Sequence, residues 1–252
     1  MIPGPEDLCR RLLGASADEV EPFFVWDHRA TYRVRIGADE FVVKADADDR
    51  ELATEAEGHA HAAAHGIPVP ELLAEAQALA MRFVRGEQLT PGSSDAAWRA
   101  AAVVVEQIHN APPIGLADRF PRPVDDLIEG ATRNGLDPAS AERIRRRLLA
   151  TPASTETTWV HGDLQSDHFI MKDDEVVAVL DWSDHGQADP LWDYTVLVFA
   201  DPTKLALMFD EPPDPARVAL MRARRLLDDV RWLSEHNMHE AAAAARAELN
   251  NQ

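Results

Sequence analysis

One stretch constrains this chain more than any other: residues 159–193, WVHGDLQSDHFIMKDDEVVAVLDWSDHGQADPLWD. Two apolar runs, Phe169 to Met171 and Val176 to Leu180, flank a charged turn from Lys172 to Glu175 and read as a β-hairpin. With Asp174 and Glu175 as loop residues, antiparallel pairing sets Asp173 opposite Val176 and, counting outward, His168 opposite Asp181. Two side chains able to bind a metal then stand side by side at the open end, and Asp163 lies on the loop that enters the hairpin. A base and a metal site facing one phosphate form the small constellation that phosphoryl transfer needs.

Length and composition set bounds. A chain of 252 residues can bury a full core as one large domain or as two small lobes. Cys9 is the sole cysteine, which excludes an internal disulfide and a cysteine-based zinc site and points to a cytoplasmic, reducing compartment. The start, MIPGPEDLCRRLL, is interrupted by Pro3, Gly4, Pro5 and charges, and no run approaches about eighteen apolar residues. Neither a signal peptide nor a membrane span is expected. Lys and Arg total 25 against 44 Asp and Glu, a formal charge of -19. Nucleic acid is disfavoured as a partner, because it requires a basic footprint, whereas a cationic small molecule would be drawn in. The one basic cluster, Arg143 with Arg145 to Arg147, lies in a helical pattern and reads as a solvated face.

Ahead of the central stretch, Phe23 to Trp26, Thr31 to Ile36 and Phe41 to Lys44 read as short strands, with a turn over Gly37 to Glu40. A helix is expected from Asp49 to His65, stopped by Gly66 and Pro68. Strands Glu71 to Glu75 and Ala78 to Val84 follow. From Gly86 the chain turns helical: Asp95 to Asn110, capped by Ser93 or Ser94, then Val124 to Arg133 and Pro138 to Ala150. Pro112, Pro113, Pro121 and Pro123 mark a loop between them. Beyond Asp193 come helical segments over Tyr194 to Ala200, Thr203 to Phe209, Pro215 to Glu235 and an alanine-rich Met238 to Leu249.

HGDLQSDHFIM followed by VLDWSDHGQADPLWD resembles the aminoglycoside phosphotransferase family of antibiotic and small-molecule kinases, which share the protein-kinase fold. The family pattern runs H-G-D-x-x-x-x-N, a strand, I-D-W, then G-D-P with a further Asp three residues after the Pro. His161, Gly162, Asp163, Asp181, Trp182, Asp189, Pro190 and Asp193 keep it. His168 stands where the family usually has Asn, and here the chain resembles the macrolide phosphotransferase branch. The resemblance implies an α+β, two-lobed protein-kinase-like fold. Residues 1–85 would form a nucleotide-covering antiparallel sheet with one helix, and residues 86–252 a larger, mainly helical lobe with catalytic loop, metal site and acceptor pocket.

The resemblance also implies roles. Asp163 would accept or orient the proton of a substrate hydroxyl, while Asp181 and His168 hold Mg²⁺, or Mn²⁺ in its place, against the phosphates of ATP or GTP. Lys44, which closes FVVK, would reach the α and β phosphates and be held by Glu55, with Glu57 as the substitute. Thr31 and the amides of the glycine-free connection Asp27 to Ala30 would approach phosphate. In MRFVRG, the carbonyl of Arg82 and the amide of Val84 would bond the base, with Met81 behind it. His161, Asp189 and Asp193 would brace the catalytic loop, and Asp184 and His185 are candidates to line the acceptor pocket.

The expected activity is transfer of a γ-phosphate to a hydroxyl of a small molecule, with an antibiotic of the aminoglycoside or macrolide type first in line. A metabolic kinase for choline, a sugar or homoserine satisfies the same motif, since a fold does not fix a substrate. Two other classes stay open. One is a metal-dependent phosphohydrolase with His161, Asp163, His168, Asp181 and His185 as ligands; the other is a binding module that has kept the fold and lost the chemistry.

Overall fold

In the computed structural model, which describes residues 2–26, 28–47, 49–75, 78–114, 122–151 and 156–251, the chain enters on a helix that its prolines disguise. Helix α1 (Pro5–Leu13) has proline in its first turn, Glu6 and Asp7 beside it, and Gly14 closing it at φ 69°. A proline there gives up an N–H that no helix start uses, so the residues expected to break the segment begin it instead. Leu8 and Cys9 are fully buried against Val34, Phe41, Val43 and Ala45. Burial pushes the Cys9 thiol up, which keeps it protonated and inert.

Five antiparallel strands follow: β1 (Glu19–Val25), β2 (Arg29–Ile36), β3 (Asp39–Asp46), β4 (Leu72–Glu75) and β5 (Ala78–Arg82), in the order β1-β2-β3-β5-β4. Helix α2 (Asp49–Ala64) links β3 to β4 and packs Leu52 and Ala56 against Leu79. Period-two alternation along β3 sends Phe41, Val43 and Ala45 to the α1 face and leaves Lys44 on the other. Strand β6 (Glu87–Gln88) and helix α3 (Asp95–Asn110) come next, with the Ser94 hydroxyl accepting from the Ala97 amide at 3.0 Å to cap the helix. Asp27 of the expected phosphate-covering connection, and Pro121 of the proline loop, lie outside the described residues.

The rest runs α4 (Val124–Arg133), α5 (Pro138–Ala150), β7 (Thr158–Val160), β8 (Phe169–Lys172), β9 (Glu175–Val179), β10 (Gly186–Ala188), α6 (Leu191–Leu197), α7 (Pro215–Glu235) and α8 (His239–Asn250). The expected Thr203 to Phe209 helix is a 3₁₀ segment over Pro202–Leu207, and α6 starts earlier than its expected Tyr194. Packing divides the chain into two compact units: Met1–Ala111 with Gln165–His185, and Pro112–Leu164 with Gly186–Gln252. Strand β8 pairs with β6 and β9 in a separate three-stranded sheet on which α3 packs, so β6, α3 and the hairpin all belong to the unit that holds the N-terminal sheet.

The hairpin itself corrects the expected register. Its two loop residues are Asp173 and Asp174, at φ 52° and 62°, the two left-handed positions of a type I′ turn, so Lys172 pairs with Glu175. A bulge between Ile170 and Met171 shifts the outer pairs to Ile170–Ala178 and Phe169–Val179. His168 therefore lies opposite Leu180, whose amide donates to the His168 carbonyl at 2.9 Å. The expected His168–Asp181 cross-strand pair does not form. Asp181 is one residue further on at φ 62°, ψ 65°, where the backbone turns into a short 3₁₀ segment, Trp182–Asp184.

In the second unit, α7 presents Leu220, Ala223, Leu226, Leu227 and Val230 at helical spacing to a core shared with α4, α5 and α8. The alanine-rich α8 contributes Ala245 and Leu249 to that core.

Within the first unit, α2 lies against the turn that follows Asp181, and Gly58 is the point of contact. A Cβ there would stand 2.5 Å from His185 Cδ2 and 3.1 Å from Trp182 Cβ. In an open helix, Gly→Ala gains up to about 1 kcal/mol. Here overpacking outweighs that gain, and Gly58→Ala is expected to lower stability by about 1–3 kcal/mol in denaturant titration. A midpoint at or above that of the parent would refute a rigid contact.

Candidate active site

Lys44 occupies the middle of the sheet, paired with Thr31 on one side and Leu79 on the other. Its Nζ lies 2.5 Å from Glu55 Oε1 and 3.6 Å from Asp181 Oδ1. The Glu55 side chain is 2% exposed, one face of α2 being turned onto the sheet. Glu57 points elsewhere, exposed and 3.8 Å from His185 Nε2, so Glu55 is the glutamate that meets the lysine. Burial would pull the Lys44 ammonium down, but Asp181 and Glu55 outweigh it and hold its pKa above the ordinary value. Lys44 is therefore a fixed cation.

These residues line a cavity of about 600 Å³ that also takes in His168 and the segment Met81 to Val84. Within its lining, Thr31 Oγ1, Glu55 Oε2 and His59 Nε2 are buried without a hydrogen-bond partner. Buried polar atoms are seldom left unpaired, and three around one cavity mark the place of a polar ligand. Burial pulls the His59 imidazole down, against the opposing hydrogen bond to the Pro70 backbone. At neutral pH this ring is uncharged and presents a lone pair or an N–H rather than a charge.

Arg29 belongs to the same face and was not singled out from the sequence. Its Nε lies 3.1 Å from Asp46 Oδ2 and its Nη2 3.3 Å from Glu51 Oε2. Burial works against its charge, but Asp181, Glu51, Glu55 and Asp46 together raise its pKa. The usable signal was strand alternation, which puts Arg29 on the face of Thr31 and opposite Asp46 in the β2–β3 ladder.

The remaining predicted residues of this unit are placed as follows. Thr31, Met81, Arg82, Val84, His168 and Asp181 all border the cavity. The Arg82 guanidinium itself turns outward to Asp39 at 2.7 Å and Glu71 at 3.2 Å. Among the described residues, no three His, Cys, Asp or Glu side chains are arranged to hold a metal ion by themselves. Asp181 and His168 border the same cavity, and an ion held by a carboxylate and an imidazole alone would have to take its other ligands from phosphate and water. His185 is 1% exposed, with Nε2 3.1 Å from the Thr54 carbonyl, so it anchors the turn to α2 instead of facing an acceptor. Asp184 stays in that same turn.

The catalytic-loop residues lie in the second unit. Strand β7 pairs with β10 and delivers His161 to Asp163 beside the start of α6. Asp193, fully buried, accepts from the His161 amide at 2.9 Å and the Gly162 amide at 3.0 Å. Trp192 Nε1 donates to the Gly162 carbonyl at 2.6 Å, and Gly162 itself needs a φ of 87° that an L side chain resists. Asp189 caps the next turn through the Leu191 amide at 3.0 Å and holds Arg217 at 2.5 Å. Asp193 thus supplies fixed acceptors to two loop amides, while Asp189 serves the turn into α6 and Arg217, and His161 is fully buried.

Asp163 meets a partner the motif does not contain. Arg225 of α7 donates from Nη1 to Asp163 Oδ1 at 2.5 Å and from Nε to Asp229 Oδ1 at 2.8 Å. Burial works against the Arg225 charge, but Asp163 and Asp229 raise its pKa well beyond the usual range. Burial also pushes the Asp229 carboxyl up to about 6, against the pull of Arg225. Sequence offered only an i, i+4 Arg–Asp pair on a long helix, with nothing to join it to the HGD motif.

Over residues 23–236 the sequence matches the phosphotransferase enzyme family. The chain belongs to that family, and it is a phosphotransferase. Its fold is similar to that of aminoglycoside phosphotransferase APH(4)-Ia, a thermostable mutant in ternary complex with AMP-PNP and hygromycin B (18% identity, TM-score 0.79, 98% of this chain and 96% of that one). It is also similar to macrolide 2'-phosphotransferase MphH from Brachybacterium faecium (19% identity, TM-score 0.71, 98% of this chain and 97% of that one). A choline/ethanolamine kinase family protein from Mesorhizobium loti is similar as well (19% identity, TM-score 0.71, 97% of this chain and 92% of that one). Likeness at such identities establishes the kinase-like α+β fold and not the acceptor. Among curated proteins, none is significantly similar in sequence. Family membership sets aside the reading of the chain as a non-catalytic module.

The double amide contact makes Asp193 testable. Asp193→Ala would leave two buried N–H groups without acceptors, at roughly 1–3 kcal/mol each. The expected result is a stability loss of about 2–4 kcal/mol in denaturant titration. A loss below about 1 kcal/mol would mean that the loop does not depend on this carboxylate.

Proposed function

We propose that the enzyme transfers the γ-phosphate of ATP or GTP to a hydroxyl group of a small molecule. The observation that carries this reading is Lys44, held by Glu55 and facing Asp181 at the edge of a cavity with buried, unpartnered polar atoms. That set offers a phosphate one fixed cation and a metal-binding carboxylate. Thr31 and Lys44 would contact phosphate oxygens, and the Arg82 carbonyl and Val84 amide would bond the base beside Met81. Asp181 and His168 would hold Mg²⁺ or Mn²⁺, which neutralises phosphate charge when bound. Asp163 would orient the acceptor hydroxyl and take its proton. Because the transition state of such transfers is loose, positioning and charge neutralisation outweigh base strength.

The acceptor class is drawn more broadly. Aminoglycoside or macrolide antibiotics are the first candidates. The chain's charge of -19 favours approach of a cationic molecule, which also keeps choline-like alcohols in the test set with sugars and homoserine. Cytoplasmic residence suits the lone cysteine and the nucleotide requirement. Among the described residues no helix is long and apolar enough to cross a membrane.

The thermal midpoint should rise with ATP or GTP only when Mg²⁺ accompanies it. A rise with metal alone, or none with any combination, would overturn the nucleotide reading. Nucleoside diphosphate release across antibiotics and hydroxylated metabolites then identifies the acceptor. Asp163→Asn should leave nucleotide binding near normal and lower turnover about 10²- to 10⁴-fold; retention of most turnover would remove Asp163 from the chemistry.

His168 allows a finer test. Imidazole suits transition metals better than Mg²⁺, whereas an Asn carbonyl oxygen suits Mg²⁺. His168→Asn should therefore keep appreciable turnover and show a smaller Mn²⁺-to-Mg²⁺ rate ratio than the parent. Equal ratios in the two proteins would take His168 out of the metal shell.

A further inference from the structure

Asp163 has a short side chain on a loop whose backbone is fixed by Asp193 and Trp192. These contacts act on the backbone of Gly162 and of the residue before it, not on the Asp163 carboxylate. Arg225 acts on the carboxylate directly. Its guanidinium joins Asp163 through Nη1 and Asp229 through Nε, and the three side chains keep 20%, 24% and 19% of their exposure for Arg225, Asp163 and Asp229. A planar fork anchored on one carboxylate has its remaining N–H directions set, so Asp229 aims the donor that meets Asp163. Helix α7 cannot drift away from this contact, because Leu226, Leu227 and Val230, on the turn around Arg225, are buried in the core of the same unit. Asp228 extends the set, held by Arg231 at 2.8 Å.

We propose that Arg225 is a positioning residue for phosphoryl transfer, fixing the Asp163 carboxylate in one orientation as the acceptor of the substrate's hydroxyl proton. The inference rests on the reading of Asp163 given above, and it names a group outside the motif on which that reading was built. A cation at this distance makes Asp163 a weaker base. That cost is small where the hydroxyl proton leaves late, as in a loose transition state, and the gain is orientation, which alone accounts for large factors in rate. Lysine would replace the fork by a single ammonium point and could not set one carboxylate by holding the other.

The test uses the full chain with Mg²⁺ and ATP, reading nucleoside diphosphate release with the best acceptor found, or with water as acceptor where none is better. Arg225→Met is expected to lower kcat about 10- to 100-fold while the KM for nucleotide and the thermal shift given by AMP-PNP with Mg²⁺ stay within about twofold. Arg225→Lys should recover part of the loss. In an Asp163→Asn background, Arg225→Met should have almost no further effect on kcat, because the two changes disable one device. Parent-like kcat in Arg225→Met would overturn the proposal, and so would a full additional loss in the double variant or a nucleotide KM that rises in step with the fall in kcat. Should Arg225→Met fail to fold, the lysine variant decides: reduced kcat at unchanged KM supports positioning, and parent-like kcat refutes it. A parent enzyme that neither binds nor cleaves nucleotide would remove the kinase reading itself, an outcome distinct from any in which the parent is active and Arg225 is dispensable.

Discussion

The ion pair between Lys44 and Glu55 ties the middle strand of the sheet to α2, and the geometry of the first unit depends on it. A half-buried ammonium next to a fully buried carboxylate is costly to separate, because either partner alone would remain an uncompensated charge. The pair thus holds α2 at one distance from β3. That distance in turn sets where Gly58 meets Trp182 and His185, and so where the chain leaves Asp181. A strand, a helix and a turn far apart in sequence converge on one lysine.

The second unit solves a comparable problem with backbone hydrogen bonds. Gly162 is held in a left-handed conformation while its amide, its carbonyl and the preceding amide are all engaged by Asp193 and Trp192. Glycine takes this φ without strain, and the three hydrogen bonds select it from the many conformations glycine could adopt. Both of these residues lie in α6, a helix of seven residues buried throughout, so the constraint comes from packed structure and not from the loop's own sequence.

What could be read from the chain without its coordinates follows the range of each interaction. Strands β2 and β3, helices α4, α5 and α7, and the hairpin carry local periodicities and stop signals, and they lie where those signals put them. Lys44 and Glu55 were reached through the family resemblance, and the structure brings the two together. The hairpin register was misplaced because the two-residue turn was set one position late, at Asp174 and Glu175 in place of Asp173 and Asp174, and one bulge, invisible to alternation counting, takes back only half of that offset. Helix α1 was missed because proline was weighed as a breaker and not as a first-turn residue. Arg225 could not be found at all: it lies 62 positions from Asp163, and only tertiary packing of α7 brings the two together. Arg29 falls between these cases, legible as to face but not as to partners.

Charge gives the cavity of the first unit its final constraint. Arg29 and Lys44 are the cations gathered there, and Asp46, Glu51, Glu55 and Asp181 the carboxylates that act on them. Two positive charges against four negative leave the set at -2 when all are ionised. Both cations have raised pKa values, so both keep their charge, and each already has carboxylates beside it. A phosphate-bearing ligand approaching this set adds negative charge to negative charge. Coulomb repulsion at such separations is worth several kcal/mol even at the effective dielectric of a protein surface. A cation arriving with an anionic ligand would relieve that repulsion, and Asp181, the most exposed of the three groups in the Lys44 cluster at 36% of its side chain, would be the carboxylate most open to it.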